Sequence, residues 1–139
     1  MTHCFHGKNC GLVDGELRIP DRIRKKLSKG ILLDVGHGYS SFDFRVARSL
    51  LGQEVIPEII SSDIHQYNTA GPVYDLVTTM DKFLHLGMEL AEVIRRTTEI
   101  PAKFLGREGE IGTLRPGATA DITVLDDLQG EFPLVDSEG

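Results

Sequence analysis

Apolar residues along the chain alternate between short continuous runs and longer stripes at helical spacing. Ile31-Leu32-Leu33-Asp34-Val35, bounded by Gly30 and Gly36, has the form of a buried strand. A second run, Val55-Ile56-Pro57-Glu58-Ile59-Ile60, leads into Ser61-Ser62-Asp63-Ile64-His65, and a shorter one opens the chain over 1–5. Between these runs the periodicity predicts helices. The first covers 20–29, with Pro20 at its start, where a missing N–H does no harm, and Gly30 as its stop. The second covers 42–51, where Phe42, Val46, Ala47, Leu50 and Leu51 share one face and Gly52 follows. After Gly71-Pro72, a third stripe is traced by Val73, Leu76, Val77, Met80, Phe83 and Leu84. A fourth helix over 88–98 turns Leu90, Val93 and Ile94 inward. Such stripes are core packing rather than cofactor contacts.

Strand, helix and strand in alternation imply a parallel sheet, and parallel strands gather their C-terminal ends on one face. At those ends stand His3, His37 and Asp63, at intervals of 34 and 26 residues. An eight-fold βα barrel of about 250 residues repeats every ~31. A lone histidine at a strand end is usually a packed or surface residue, but three titratable groups at three successive ends would project toward a common mouth. Imidazole and carboxylate are suitable ligands for zinc, manganese or iron(II). His65, two residues beyond Asp63, shares its strand face and is a candidate substrate contact.

Composition narrows the class. With 139 residues, 40% of them hydrophobic and 26% charged, the sequence reads as a soluble globular chain with one ordinary core. A whole barrel needs at least about 200 residues. The net charge of −6 argues against a nucleic-acid or anionic-membrane partner and leaves a small-molecule substrate. The one basic cluster, Arg22, Arg24, Lys25, Lys26 and Lys29, reads as a solvated helix face. No run of about 18 apolar residues is present, and the first residues lack the regions of a signal peptide. A cytoplasmic location is therefore expected, in which Cys4 and Cys10 stay reduced rather than forming a disulfide.

The segment Ile111-Gly112-Thr113-Leu114-Arg115-Pro116-Gly117-Ala118-Thr119-Ala120-Asp121-Ile122-Thr123-Val124-Leu125-Asp126 carries the most specific signal. Pro116-Gly117 suits the centre of a type II turn, and residues 121–125 then alternate polar and apolar like a strand. The string resembles the passage from barrel to small β-domain in the metal-dependent amidohydrolases. Residues 97–106 resemble the Pro-Ala-x-x-Leu-Gly helix end that precedes it there, departing at Ile100, where many relatives have Asn. Thr2-His3-Cys4-Phe5-His6-Gly7-Lys8, Leu33-Asp34-Val35-Gly36-His37-Gly38 and Ser61-Ser62-Asp63-Ile64-His65 resemble the sixth, seventh and eighth strand ends of the dihydroorotase-like and deacetylase branch.

The resemblance covers essentially the whole chain and implies an α/β fold. Residues 1–106 would be the last three βα units of a TIM (β/α)8 barrel, and 107–139 part of a small C-terminal β-domain. It also implies a hydrolase acting on an amide or ester bond of a small polar substrate, homo-oligomeric in complete form. His3 would be a metal ligand. Asp63 would be both ligand and the group that takes and returns the proton, with one or two divalent ions, zinc first, activating water and polarising the carbonyl. His37, Gly38 and His65 would face the substrate. The family's His-x-His pair, bridging lysine or glutamate and fifth-strand histidine have no counterpart here, and Lys8 and Lys29 lie in the wrong segments to bridge metals. The chain alone is therefore expected to be inactive.

Other readings are weaker. A zinc knuckle of His3, Cys4, His6 and Cys10 has suitable ligand types, but the adjacent His3 and Cys4 would point to opposite faces of a strand. A phosphate site at Gly36 and Gly38 rests on two glycines alone. His6 and His85 carry no assigned role. The alternative from another class is a non-catalytic barrel fragment that assembles with a complementary polypeptide.

Overall fold

Three extended segments run side by side and in parallel, and four hydrogen bonds fix the order. The Asp34 N–H donates to Met1 O at 2.9 Å and the Cys4 N–H to Asp34 O at 3.3 Å, pairing the first segment with the second. The Val35 N–H donates to Ile59 O and the Ile59 N–H to Leu33 O, both at 3.0 Å, pairing the second with the third. The 32–38 segment is thus central. The computed structural model describes residues 1–7 and 12–138, so the Cys10 of the zinc-knuckle reading and the Lys8 at the end of the first motif lie outside the described residues. Within those residues the pairing takes the form of isolated parallel bridges rather than continuous strands: Asp34 bridges Ile59, and beyond the central segment Phe5 bridges Phe42.

The described residues form five helices: α1 Asp21–Leu27, α2 Phe44–Gly52, α3 Leu76–His85, α4 Leu90–Thr97 and α5 Glu99–Phe104. The first four match the periodic stripes with ends shifted by one to three residues. Capping explains the starts of two. The Asp43 carboxylate accepts the Arg45 N–H at 2.7 Å, and the Asp75 carboxylate accepts the Thr78 N–H at 2.6 Å, so each aspartate satisfies an amide that the helix cannot. Arg22, Arg24, Lys25 and Lys26 of the basic cluster lie on α1 and Lys29 follows it; α1 buries none of its residues and touches the core through the half-buried Ile23 and Leu27.

The core is aromatic at its centre. Phe5, Phe42 and Phe83 bring an extended segment, the approach to α2 and the middle of α3 together, with ring centroids 5.8 to 5.9 Å apart. Val46, Ala47 and Leu50 of α2 pack into the same cluster, together with Leu33, Val35 and Ile60 of the sheet.

The inward face of α3 differs from the expected stripe. Thr79, Met80, Lys82 and Phe83 are buried, whereas Leu76 and Val77 are 38% and 41% exposed. On α4 only Val93 is buried, and Leu90 and Ile94 stay partly exposed. Val77, Leu90 and Ile94 line a groove of about 770 Å³ between these helices and residues 123–134. Lys82 is not part of the predicted stripe. It is buried because its amine finds acceptors inside, and that turns the face by one position.

The predicted strand over 121–125 does not form. Ile122 and Val124 are 65% and 89% exposed, and no bridge among the described residues joins this stretch to another segment. Residues 132–135 likewise form no bridge among the described residues. A strand gains its stability from a paired neighbour, and alternation alone does not supply one.

Candidate active site

His3 and Asp63, 60 residues apart in sequence, meet at the C-terminal ends of the outer two segments. The His3 Nε2 lies 3.2 Å from the Asp63 Oδ2, and the side chains are 43% and 48% exposed. Both residues have positive φ, 61° for His3 and 47° for Asp63. Side chains larger than glycine rarely accept that conformation, and residues held in it concentrate at functional sites. The surrounding hydrogen bonds hold the strain. The Asp34 carboxylate accepts the Thr2 hydroxyl at 2.6 Å and the Ser61 hydroxyl at 2.7 Å, so one central side chain ties the segments that carry His3 and Asp63.

The turn of Gly36, His37 and Gly38 lies against both members of the pair. A Cβ at Gly36 would collide with the Thr2 hydroxyl and come within 2.6 Å of the His3 ring. One at Gly38 would come within 2.8 Å of the Asp63 Oδ2. Glycine at both positions is therefore a condition for His3 and Asp63 to approach each other. Gly38 is at the site by this close approach.

His37 does not join the pair. Its ring is fully buried, stacked on Phe42 at 4.7 Å, with Nδ1 2.9 Å from Gly38 O and Nε2 2.6 Å from the Lys82 Nζ. A carbonyl can only accept, so Nδ1 carries the proton and Nε2 accepts from the lysine ammonium. Burial, followed by the Lys82 cation, lowers the pKa of His37 from 6.5 to about 4 against the lift from the Gly38 carbonyl, so the ring is neutral at pH 7. Burial also lowers Lys82 from 10.5 to about 8, with Asp136 pulling the other way. The ring that spacing directed toward the mouth is turned into the core, and the whole 36–38 turn is buried with it.

His65 stands at the rim, exposed, its Nδ1 accepting the Tyr67 N–H at 3.2 Å. The loop it belongs to is held by Asn68, a fully buried residue that the sequence reading did not single out. Its Nδ2 donates to Asp63 O at 3.0 Å and its Oδ1 accepts the His65 N–H at 2.8 Å. The only trace in the sequence is an Asn two residues before the small-residue run Ala70-Gly71, the composition of any turn. His85 meets Phe44 edge to ring at 5.7 Å, away from the pair.

Residues 53–135 match the amidohydrolase family, and the chain belongs to that family. It is 39% identical along its whole length to a deacetylase of Enterococcus faecalis and 34% identical to a deacetylase of Agrobacterium fabrum, covering 38% and 34% of those proteins. Among solved structures it resembles an adenine deaminase, with a TM-score of 0.91 at 39% identity. It also resembles a dihydroorotase, with a TM-score of 0.82 at 35% identity. In each case 99% of this chain superposes on a little over a third of the other: 38% of the deaminase and 37% of the dihydroorotase. The chain thus spans little more than a third of the length of the relatives it matches. No helix among the described residues is long and apolar enough to cross a membrane.

Proposed function

We propose that this chain supplies part of the site of a metal-dependent hydrolase that cleaves an amide or ester bond of a small polar substrate. The observation that carries the reading is the His3–Asp63 contact at 3.2 Å, made at the ends of the two outer segments by two residues in strained backbone conformations. The names of the relatives and similar structures, deacetylase, adenine deaminase and dihydroorotase, support a hydrolase of this family. In this reading residues 1–106 are the last three βα units of a barrel and 107–139 belong to a small β-domain. The parallel order of the three segments supports the first part.

An imidazole nitrogen and a carboxylate oxygen turned toward each other fit a divalent ion of the zinc, manganese or iron(II) type as part of its ligand set. They are two donors where three or four are usual, and the described residues contain no cluster of three or more such groups. Further ligands would come from other segments of the complete protein. A divalent ion, when bound, supplies Lewis acidity at the substrate carbonyl and makes water more acidic. Asp63 would take the proton from the attacking water at Oδ2 and return it to the leaving group, as general base and then general acid. Gly38 and His65, at the mouth and its rim, would meet the substrate, with the main chain beside His37 forming the floor.

The test is hydrolysis of a panel of small polar amides and esters by the metal-loaded, full-length protein. Asp63→Asn is expected to lower turnover by about 10²-fold or more while keeping the fold. His3→Ala is expected to lower metal occupancy and to recover partly on added metal. Hydrolysis by Asp63→Asn at the unmodified rate would reject the role given to Asp63.

A further inference from the structure

The mouth that holds His3 and Asp63 has two walls, and one buried amine reaches both. One wall is the 36–38 turn, which lies so close to the segments of His3 and Asp63 that neither Gly36 nor Gly38 has room for a Cβ. The other is the loop that leaves Asp63 and returns to α3, tied at its start by Asn68 to Asp63 O. Lys82, fully buried on α3, donates to the His37 Nε2 of the first wall at 2.6 Å and to Pro72 O of the second at 2.7 Å.

Among the described ion pairs none involves Lys82, so no carboxylate at bonding distance offsets the cost of burying this cation. Its remaining direction faces the Phe42 ring, 5.7 Å from the centroid. An apolar side chain would fill the same space at less desolvation cost, but it would offer nothing to the imidazole or the carbonyl.

We propose that Lys82 is a positioning residue for the His3–Asp63 pair, holding through His37 and Pro72 the two loops that fix the distance between them. The proposal rests on the metal-dependent reading of that pair. His37 passes the constraint on. Its Nδ1–H holds Gly38 O at 2.9 Å, and its own N–H and that of Gly38 donate to Ser61 O and Ser62 O at 3.1 and 3.0 Å, next to Asp63. A displacement of the turn by about 0.5 Å, the tolerance of a working site, would be felt at once by the Asp63 carboxylate.

The probe is cobalt(II), titrated into the metal-free full-length protein and followed by its visible absorption, which reports ligand geometry without any substrate. Lys82→Met is expected to weaken cobalt binding about tenfold and to change the shape of its absorption bands, the scale of losing a residue that orients metal ligands. His37→Gln, which keeps the Lys82 bond to Pro72, should change the bands in the same direction. It also serves if Lys82→Met does not fold. Lys103→Met, exposed on α5, should leave affinity and bands unaltered.

A merely structural Lys82 would lower thermal stability without moving the spectrum. Unaltered affinity and bands in the folded Lys82→Met and His37→Gln proteins therefore overturn the proposal. Should His3→Ala bind cobalt as the unmodified protein does, the metal reading itself falls, and this proposal with it. That outcome is distinct because it appears before Lys82 is touched.

Discussion

Residues 1–106 and 107–138 have comparable shares of apolar residues put to opposite uses. In the first region Phe5, Val35, Phe42, Leu50, Phe83 and Val93 are fully enclosed. In the second no described residue is buried, and Leu114, Val124 and Leu128 are 80%, 89% and 68% exposed. The difference lies in what each pattern needs from elsewhere. A helical stripe over 42–51 satisfies its backbone internally and asks only for an apolar surface, which three parallel segments provide. An alternating stretch such as 121–125 leaves every amide and carbonyl seeking a neighbouring strand. Propensity without a partner leaves the chain extended and exposed.

That contrast can be broken most forcefully at its packed end. Phe42→Ala removes the ring shared by Phe5, Phe44, Phe83 and His37, and it is expected to cost about 3–5 kcal/mol of unfolding free energy in urea titrations. A loss under about 1 kcal/mol would mean that the aromatic cluster does not hold the region together.

A second, somewhat smaller effect follows from His37. Above pH 6.5 the ring is neutral in both folded and unfolded chain. Between 6.5 and about 4 the unfolded chain takes up a proton that the folded chain refuses, so stability falls as pH falls, and the loss is complete near pH 4. The expected loss is a few kcal/mol. It should be absent from the difference between the unmodified protein and His37→Gln above pH 7, and grow steadily below 6.5. A difference that is flat with pH would show that the ring titrates alike in both states. At the exposed end, Val124→Ala should shift stability by no more than about 0.5 kcal/mol; a larger change would mean that this stretch is packed in solution.

The helices were legible because their periodicity is a property of neighbouring residues. So was the convergence of His3 and Asp63, since parallel segments of similar length must end together whatever fills the core. The positions of His37 and Lys82 were not. Whether an imidazole turns out to the mouth or in to the core depends on an amine 45 residues later, and the predicted stripe does not include that lysine. Asn68 escaped for the same reason, its acceptors and donors being main-chain atoms with no signature in the residue types. The stretch over 121–125 failed in the opposite sense, because a correct local pattern met no partner.

Near its end the chain returns to its middle. The Asp136 carboxylate accepts the Phe44 N–H at 2.9 Å, and Ser137 exchanges bonds with Phe42, its hydroxyl accepting at 3.2 Å and its amide donating at 2.9 Å. During synthesis on a ribosome these amides at the head of α2 emerge long before the residues that satisfy them. The separation of 92 residues between Phe44 and Asp136 corresponds to roughly 5–20 s of translation. For that interval the nascent α2 depends on Asp43 alone at its first turn, and the aromatic cluster it carries is the surface that a chaperone would meet.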